Sequence, residues 1–148
     1  MRLYETHLPV AVTERSAEFY CDALGLTLAY RDPTRDIAFL WVGQARNSML
    51  GLWGPTAELG KQFHRSHFAI AVSLEDLIGS AARLNSAGIT TTNFAGEKTE
   101  EPSVIGWMPS AQLYFSDPDG HSVELIALLD DPPQANFVGP LSAWRAAR

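Results

Sequence analysis

His7, His67 and Glu124 are the residues of this chain whose types and spacing point to bound-metal chemistry. Glu124 stands inside the short apolar run Val123-Glu124-Leu125-Ile126, so strand alternation sets it on the opposite face from Val123 and Leu125. A carboxylate there needs a partner, because an isolated buried charge is too costly to keep. The two histidines each fill the second place of an octet, Thr6–Thr13 and Ser66–Ser73. Both octets read small hydroxyl, His, two variable positions, β-branched residue, Ala, Val, hydroxyl. Two imidazoles and a carboxylate are a recurrent ligand set for a catalytic divalent ion, leaving positions open for water and substrate. The set suits Mn, Fe, Ni or Zn. The plainer alternative makes both histidines half-buried strand residues bonded to backbone. Their equivalent places in a repeat weigh against it. His64 lies before its strand and His121 beside a turn, where it is expected to face solvent; neither is assigned a ligand role.

These residues need elements to position them. After the first octet, Glu14 to Leu24 carries Ala17, Phe19, Tyr20, Ala23 and Leu24 at helical spacing and stops at Gly25. After the second, the capping-box-like Ser73-Leu74-Glu75-Asp76 opens a helix with Leu74, Leu77, Ile78, Ala81 and Leu84 on one face, stopping at Gly88. Strand patterns follow at 26–31, 37–42 and 48–53, and again at 89–94, 112–115 and 122–128. The order β-α-β-β-β thus occurs twice, in one α+β domain with a mostly antiparallel or mixed sheet. Module one covers about 3–53 and module two about 64–128. A tail, 129–148, ends in a short helix around Leu141–Ala147. A loop, 96–110, is long enough to be functional. Superposing the halves matches His7 with His67 and Gly51 with Glu124.

The stretch Phe115-Ser-Asp-Pro-Asp-Gly-His-Ser-Val-Glu-Leu125 holds a type I turn at Asp117–Gly120 between two strands. Together with the paired octets it resembles the vicinal oxygen chelate superfamily, which includes glyoxalase I, fosfomycin-resistance thiol transferases, type I extradiol dioxygenases and bleomycin-binding proteins. The resemblance runs from His7 to about Leu128. It implies paired βαβββ modules forming a cupped, barrel-like mixed sheet with helices outside and a metal inside. The family's metal positions are carried onto His7, His67 and Glu124. The place that glyoxalase I fills with a fourth carboxylate falls on Gly51, which has no ligand atom. Pro9 stands where the fosfomycin transferases have a Thr, and Lys98 is the only cation of the long loop.

Tyr114 precedes Glu124 by ten residues, across the hairpin, a spacing that resembles the transferases and dioxygenases. Its phenol is read either as a hydrogen-bond donor to a bound oxyanion or as a sheet residue with its hydroxyl at the rim. Trp41, Trp53 and Phe39 are candidates for the apolar wall of a substrate cleft, with core packing as the alternative role. Trp107 and Met108 sit in the long loop, where specificity is commonly set. Glu5 shares a strand face with His7 by alternation, as a base, a supporting partner or a surface carboxylate.

A formal net charge of −6 with no basic cluster argues against nucleic acid as a partner. No apolar stretch reaches the length of a membrane span, and no signal peptide is visible. One cysteine, Cys21, fits a reducing cytoplasm. The expected protein is a cytoplasmic homodimer. Its expected activity is that of a divalent-metal enzyme on a small oxygenated molecule, a lyase, isomerase or transferase of the glyoxalase or fosfomycin-resistance type. The alternatives are ring cleavage by an extradiol-like dioxygenase and metal-free sequestration of a small molecule.

Overall fold

The computed structural model describes residues 1–147. The chain is organised as two compact units, and the α+β class with paired βαβββ order holds in both. Neither sheet closes on itself. Among the described residues no helix is long and apolar enough to cross a membrane.

The first unit comprises Met1–Ser66 with the turn Asp117–His121. Its elements are β1 (Glu5–Pro9), α1 (Thr13–Leu24), β2 (Thr27–Asp32), β3 (Ile37–Val42) and β4 (Ser48–Trp53). The sheet order is β1-β4-β3-β2, with β1 and β4 parallel and the other pairs antiparallel. Helix α1 ends at Gly25, whose left-handed backbone (φ 68°) returns its N–H to Cys21 O. The helix packs on β3 and β4. Leu8, Val10, Tyr20, Ile37, Leu40, Leu50 and Leu52 fill the space between helix and sheet.

The second unit comprises His67–Ser116 and the chain from Ser122 onward. It contains β5 (His67–Ala71), α2 (Leu74–Ser86), β6 (Ser103–Ile105), β7 (Ser110–Ser116), β8 (Ser122–Leu128), β9 (Val138–Pro140) and α3 (Leu141–Ala146). The order is β5-β8-β7-β6-β9, with β5 and β8 parallel. Ser73 caps α2 by accepting from Asp76 N–H at 3.1 Å, as its capping-box pattern predicts. Leu77, Ala81, Leu84, Leu113, Phe115, Val123 and Leu125 form the core.

Three expectations change. Residues 89–94 form no regular strand, only isolated bridges from Thr92 to Tyr114 and Lys98. Side chains compete for the backbone there: Asn85 accepts from Thr91 N–H, and Asn93 accepts from Ala95 and Glu97 N–H. The 96–110 segment is not all loop, since β6 lies inside it, and the tail adds β9 to the sheet.

The third change concerns the repeat. In the first unit residues 5–9 pair with 49–53; in the second, 67–71 pair with 122–126. The next rung agrees: Val10 N–H donates to Trp53 O and Val72 N–H to Ile126 O, both at 2.9 Å. With Gly51 as the counterpart of Glu124, the counterpart of His67 is therefore Glu5, and His7 matches Ala69. The resemblance of the two octets is offset by two residues from the structural repeat.

Candidate metal centre

In the second unit the geometry centres on Glu124, which is only 7% exposed. His67 Nε2 lies 3.1 Å from Glu124 Oε2, and His67 Nδ1 lies 3.1 Å from Ser122 Oγ. When Nε2–H donates to the carboxylate, Nδ1 accepts from the Ser122 hydroxyl. A cation at Nε2 would take the other tautomer, in which Nδ1–H donates to Ser122 Oγ and steadies the ring, and His67 and Glu124 could then both be ligands. The imidazole stays about half exposed (51%), so the pair is open to solvent on one side. Tyr114 stands directly opposite Glu124 on β7 and donates its phenolic hydrogen to that carboxylate. Burial, the Glu124 charge and this hydrogen bond all push the phenol well above its ordinary value, so it remains a donor. The Tyr114 ring lies 6.2 Å from His67 and 6.5 Å from Phe94.

Phe94 also lines a cavity of about 360 Å³ with Asn93, Glu97, Glu101, Ser103 and Val138. Residue alternation along the paired strands puts Ser103 and Gln112 on the Tyr114 face. Ser110 spends its hydroxyl proton on Met108 O (2.7 Å), so it accepts from Gln112 Nε2 (2.5 Å). That fixes the amide and leaves Gln112 Oε1 buried without a partner among the described residues. Neither Phe94 nor Gln112 was legible as a site residue. An exposed aromatic beside Asn93 was the only signal. Trp107 and Met108, 64% and 40% exposed, lie in the β6–β7 turn. Tyr114 is four residues along β7 from Ser110, roughly 14 Å away by strand rise, so the structure does not bring these two residues to it.

In the first unit His7 sits opposite Gly51 on the parallel β1–β4 ladder. Phe39 packs edge-on at 5.9 Å between ring centroids and Trp53 at 5.4 Å. Trp41 is two residues along β3 from Phe39, on the same face. Gly51 is needed for this packing: a Cβ there would lie 2.7 Å from His7 Cδ2 and 3.2 Å from Trp53 Nε1. His7 Nε2 and Trp53 Nε1 are both buried without a hydrogen-bond partner among the described residues. Glu5 Oε1 is 3.6 Å from His7 Nε2, beyond hydrogen-bonding range.

The turn between β7 and β8 is locked by its own polar groups. Gly120 N–H donates to Asp117 O at 3.1 Å, with Gly120 at φ 82°. Asp117 Oδ1 accepts from Asp119 and His121 N–H, and its Oδ2 accepts from the Tyr20 hydroxyl at 2.8 Å. Asp119 accepts from the Ser16 hydroxyl and pairs with the Arg15 guanidinium. His121, expected at the surface, is fully buried. Its Nδ1 accepts from Ser66 N–H (3.0 Å), so Nε2 carries the proton and donates to Pro9 O (2.8 Å). Both ring nitrogens are used, which is what makes burial affordable. His64 remains exposed, with Nδ1 3.2 Å from Gln62 O.

Comparison with known proteins places this arrangement. A family profile described as the Glyoxalase/Bleomycin resistance protein/Dioxygenase superfamily matches residues 2–125. The chain belongs to that superfamily. A "Probable lactoylglutathione lyase" of Synechocystis is 27% identical over 85% of this chain and 95% of its own. The "Glutathione transferase FosA" of Serratia marcescens is 32% identical over 80% and 77%. Among solved structures, the integron cassette protein HFX_CASS4 from the mobile metagenome of a Halifax Harbour sewage outfall has a TM-score of 0.69. It is 28% identical, with 86% of this chain and 98% of that one covered.

Members of the superfamily are typically divalent-metal dependent. In the second unit His67 and Glu124 stand 3.1 Å apart, a separation that two ligands of one ion can share. Among the described residues no group of three or more His, Cys, Asp or Glu is gathered at one point.

Proposed function

We propose that this superfamily member is a divalent-metal-dependent enzyme of the glyoxalase or fosfomycin-resistance type, acting on a small oxygenated substrate by lyase, isomerase or transferase chemistry. The ion, one of Mn, Fe, Ni or Zn, is held by His7, His67 and Glu124. The 3.1 Å contact between His67 and Glu124, with Tyr114 donating to the same carboxylate, is the observation that carries this reading. A bound ion supplies Lewis acidity that stabilises negative charge on a chelated substrate oxygen.

The chain's own groups do the rest. The Tyr114 hydroxyl, protonated and next to Glu124, turns its single proton from that carboxylate to a substrate oxygen when one is bound there. Trp41, Trp53 and Phe39 give an apolar wall beside His7, and Phe94 with the cavity behind it receives the body of the substrate. Trp107 and Met108 cover a remote part of a larger substrate or cosubstrate. The names of the Synechocystis and Serratia relatives make a glutathione conjugate or a glutathione acceptor the first substrates to try. The protein works in the cytoplasm as a homodimer. Leu28 and Tyr30, each 55% exposed on edge strand β2, offer an apolar edge for that pairing.

The test is titration of metal-stripped protein with Mn²⁺, Ni²⁺ and Zn²⁺, followed by assays for S-lactoylglutathione formation and for glutathione addition to an epoxide. One ion per chain, lost in Glu124→Ala with the fold retained, is expected. Uptake below about a tenth of an equivalent would make the protein a metal-free binder instead.

A further inference from the structure

We infer that the cavity between the 93–103 segment and β9 binds an organic cation, a protonated amine or amidine carried on a small apolar or aromatic body. The inference rests on the reading above, in which this cavity receives the body of the substrate, and deepens it by naming the charge that body carries. Every residue involved lies in the second unit.

Three observations carry it. The first is charge: Glu97 and Glu101 both line the cavity, and no Lys, Arg or His does. Among the described residues neither carboxylate has a basic partner. Glu101 is held at the start of α3, one oxygen accepting from Ser142 N–H and the other from the Ser142 hydroxyl, each at 3.0 Å. Both donors are neutral, so the negative charge stays uncompensated. The second is a surplus of acceptors. Asn93 Nδ2 already donates to Glu97 Oε2 (3.0 Å) and the Thr99 hydroxyl to Glu101 O (2.7 Å). Phe94 N–H is given to Ser103 Oγ, while Pro102 and Pro140 have no N–H to offer. Gln112, directly across from Ser103 in the β6–β7 pair and 1% exposed, keeps a buried amide oxygen with no partner among the described residues. Bare acceptors of this kind are costly, and a ligand rich in donors offsets the cost.

The third observation is the apolar share of the wall. Phe94, 57% exposed, stands with Ala95, Val138 and the two prolines around the same space. An aromatic ring attracts a cation held over its face, most strongly one that is weakly hydrated. A hydrated metal dication gains nothing from such a wall, whereas an amine on a carbon body uses both the wall and the carboxylates. The volume of about 360 Å³ suits a body of one ring. The Tyr114 ring, 6.5 Å from Phe94, joins this space to the Glu124 pair.

Benzamidine, benzamide and benzoate share one ring and differ in charge, so together they test the inference. Each is titrated into the full chain, first metal-stripped and then with one equivalent of Mn²⁺, and followed by amide shifts in ¹H–¹⁵N spectra. Benzamidine should shift the amides of Phe94, Glu97 and Val138 and bind at least about tenfold more tightly than benzamide, with benzoate weaker still. Glu97→Gln with Glu101→Gln should remove that preference, since each Gln oxygen still accepts as Glu does; circular dichroism checks the fold. Glu97 is exposed, so E97Q alone leaves the α3 contact intact and should weaken benzamidine at least about threefold. Benzamidine and benzamide within about twofold of each other, shifts confined to residues away from the cavity, or E97Q within about 1.5-fold of the parent would each overturn the inference. A chain that takes up no metal yet prefers benzamidine keeps the cation site and loses the metal-dependent function. A chain that takes up metal without that preference keeps the function and loses the site.

Discussion

Removing one hydroxyl from α1 should loosen the hairpin that carries Glu124. Tyr20 is fully buried and donates to Asp117 Oδ2 at 2.8 Å. Asp117, only 5% exposed, keeps its Oδ1 bonds to Asp119 and His121 N–H whatever happens to Tyr20. In Tyr20→Phe the ring still fills its place, and the loss is one hydrogen bond to a buried charge. Such bonds contribute about 1.5–3 kcal/mol, since the carboxylate left behind cannot regain water. At about 2–4 °C per kcal/mol for a chain of this size, the melting temperature should fall by about 3–12 °C. Burial and the Asp117 charge push the Tyr20 phenol far above its ordinary value, so the bond persists across the working pH range and the deficit should not vary with pH there. Urea denaturation of Y20F, D117N and the double variant gives the coupling energy directly. A Y20F deficit under about 0.5 kcal/mol, or a coupling near zero, would show that Tyr20 is packing only and that the turn holds without it.

Other outcomes follow from single contacts. Burial alone would raise Asp36, but hydrogen bonds from the Thr13 hydroxyl (2.7 Å) and from Thr56, with the Arg31 charge, outweigh it and hold the carboxyl below its ordinary value of 3.8. A lowered folded pKa stabilises above the unfolded value and is lost as pH falls through the folded one; Asp36→Asn should cost about 1 kcal/mol at pH 7 and flatten the acid limb of the stability profile below pH 3.8, read by denaturation from pH 7 to 2. Gly51→Ala puts a methyl 2.7 Å from His7 Cδ2 and should destabilise by about 1–3 kcal/mol while weakening metal uptake; if Gly51→Glu bound the ion more tightly, the steric account of that position would be wrong. Tyr114→Phe should leave Mn²⁺ affinity within about threefold and lower turnover by about a hundredfold once a substrate is found, and an unchanged kcat in that variant would reduce Tyr114 to a packing role.

Much of the architecture was legible because local chemistry and long-range pattern agree. Ser73 before Leu74 marks a cap and Asp-Pro-Asp-Gly a turn, each through side chains acting on nearby backbone, and Gly25 marks a helix end because it lacks a Cβ. What was not legible depends on partners distant in sequence. Strands β6 and β9 are three residues long and exist because they lie against β7 and against each other. The pattern at Ile89–Phe94 suggested a strand, but Asn85 takes up Thr91 N–H and Asn93 turns the chain by accepting from Ala95 and Glu97 N–H. His121 read as a surface residue because nothing local announces that Ser66 N–H and Pro9 O will meet its two nitrogens.

The two-residue offset between octet and ladder has a physical root that bears on the metal centre. Side chains alternate with period two, so sliding one strand by two residues leaves every side chain on its original face. Hydrophobic pattern therefore cannot distinguish the two alignments, and identity of type, His with His, decides wrongly. Backbone rungs do distinguish them, because Val10 to Trp53 and Val72 to Ile126 close their ladders at the same step. A motif built around histidine thus points two residues past the ladder counterpart of His67, to a side chain that nevertheless lies on the same strand face. On that face the His7 ring nitrogen and the Glu5 carboxylate stand 3.6 Å apart.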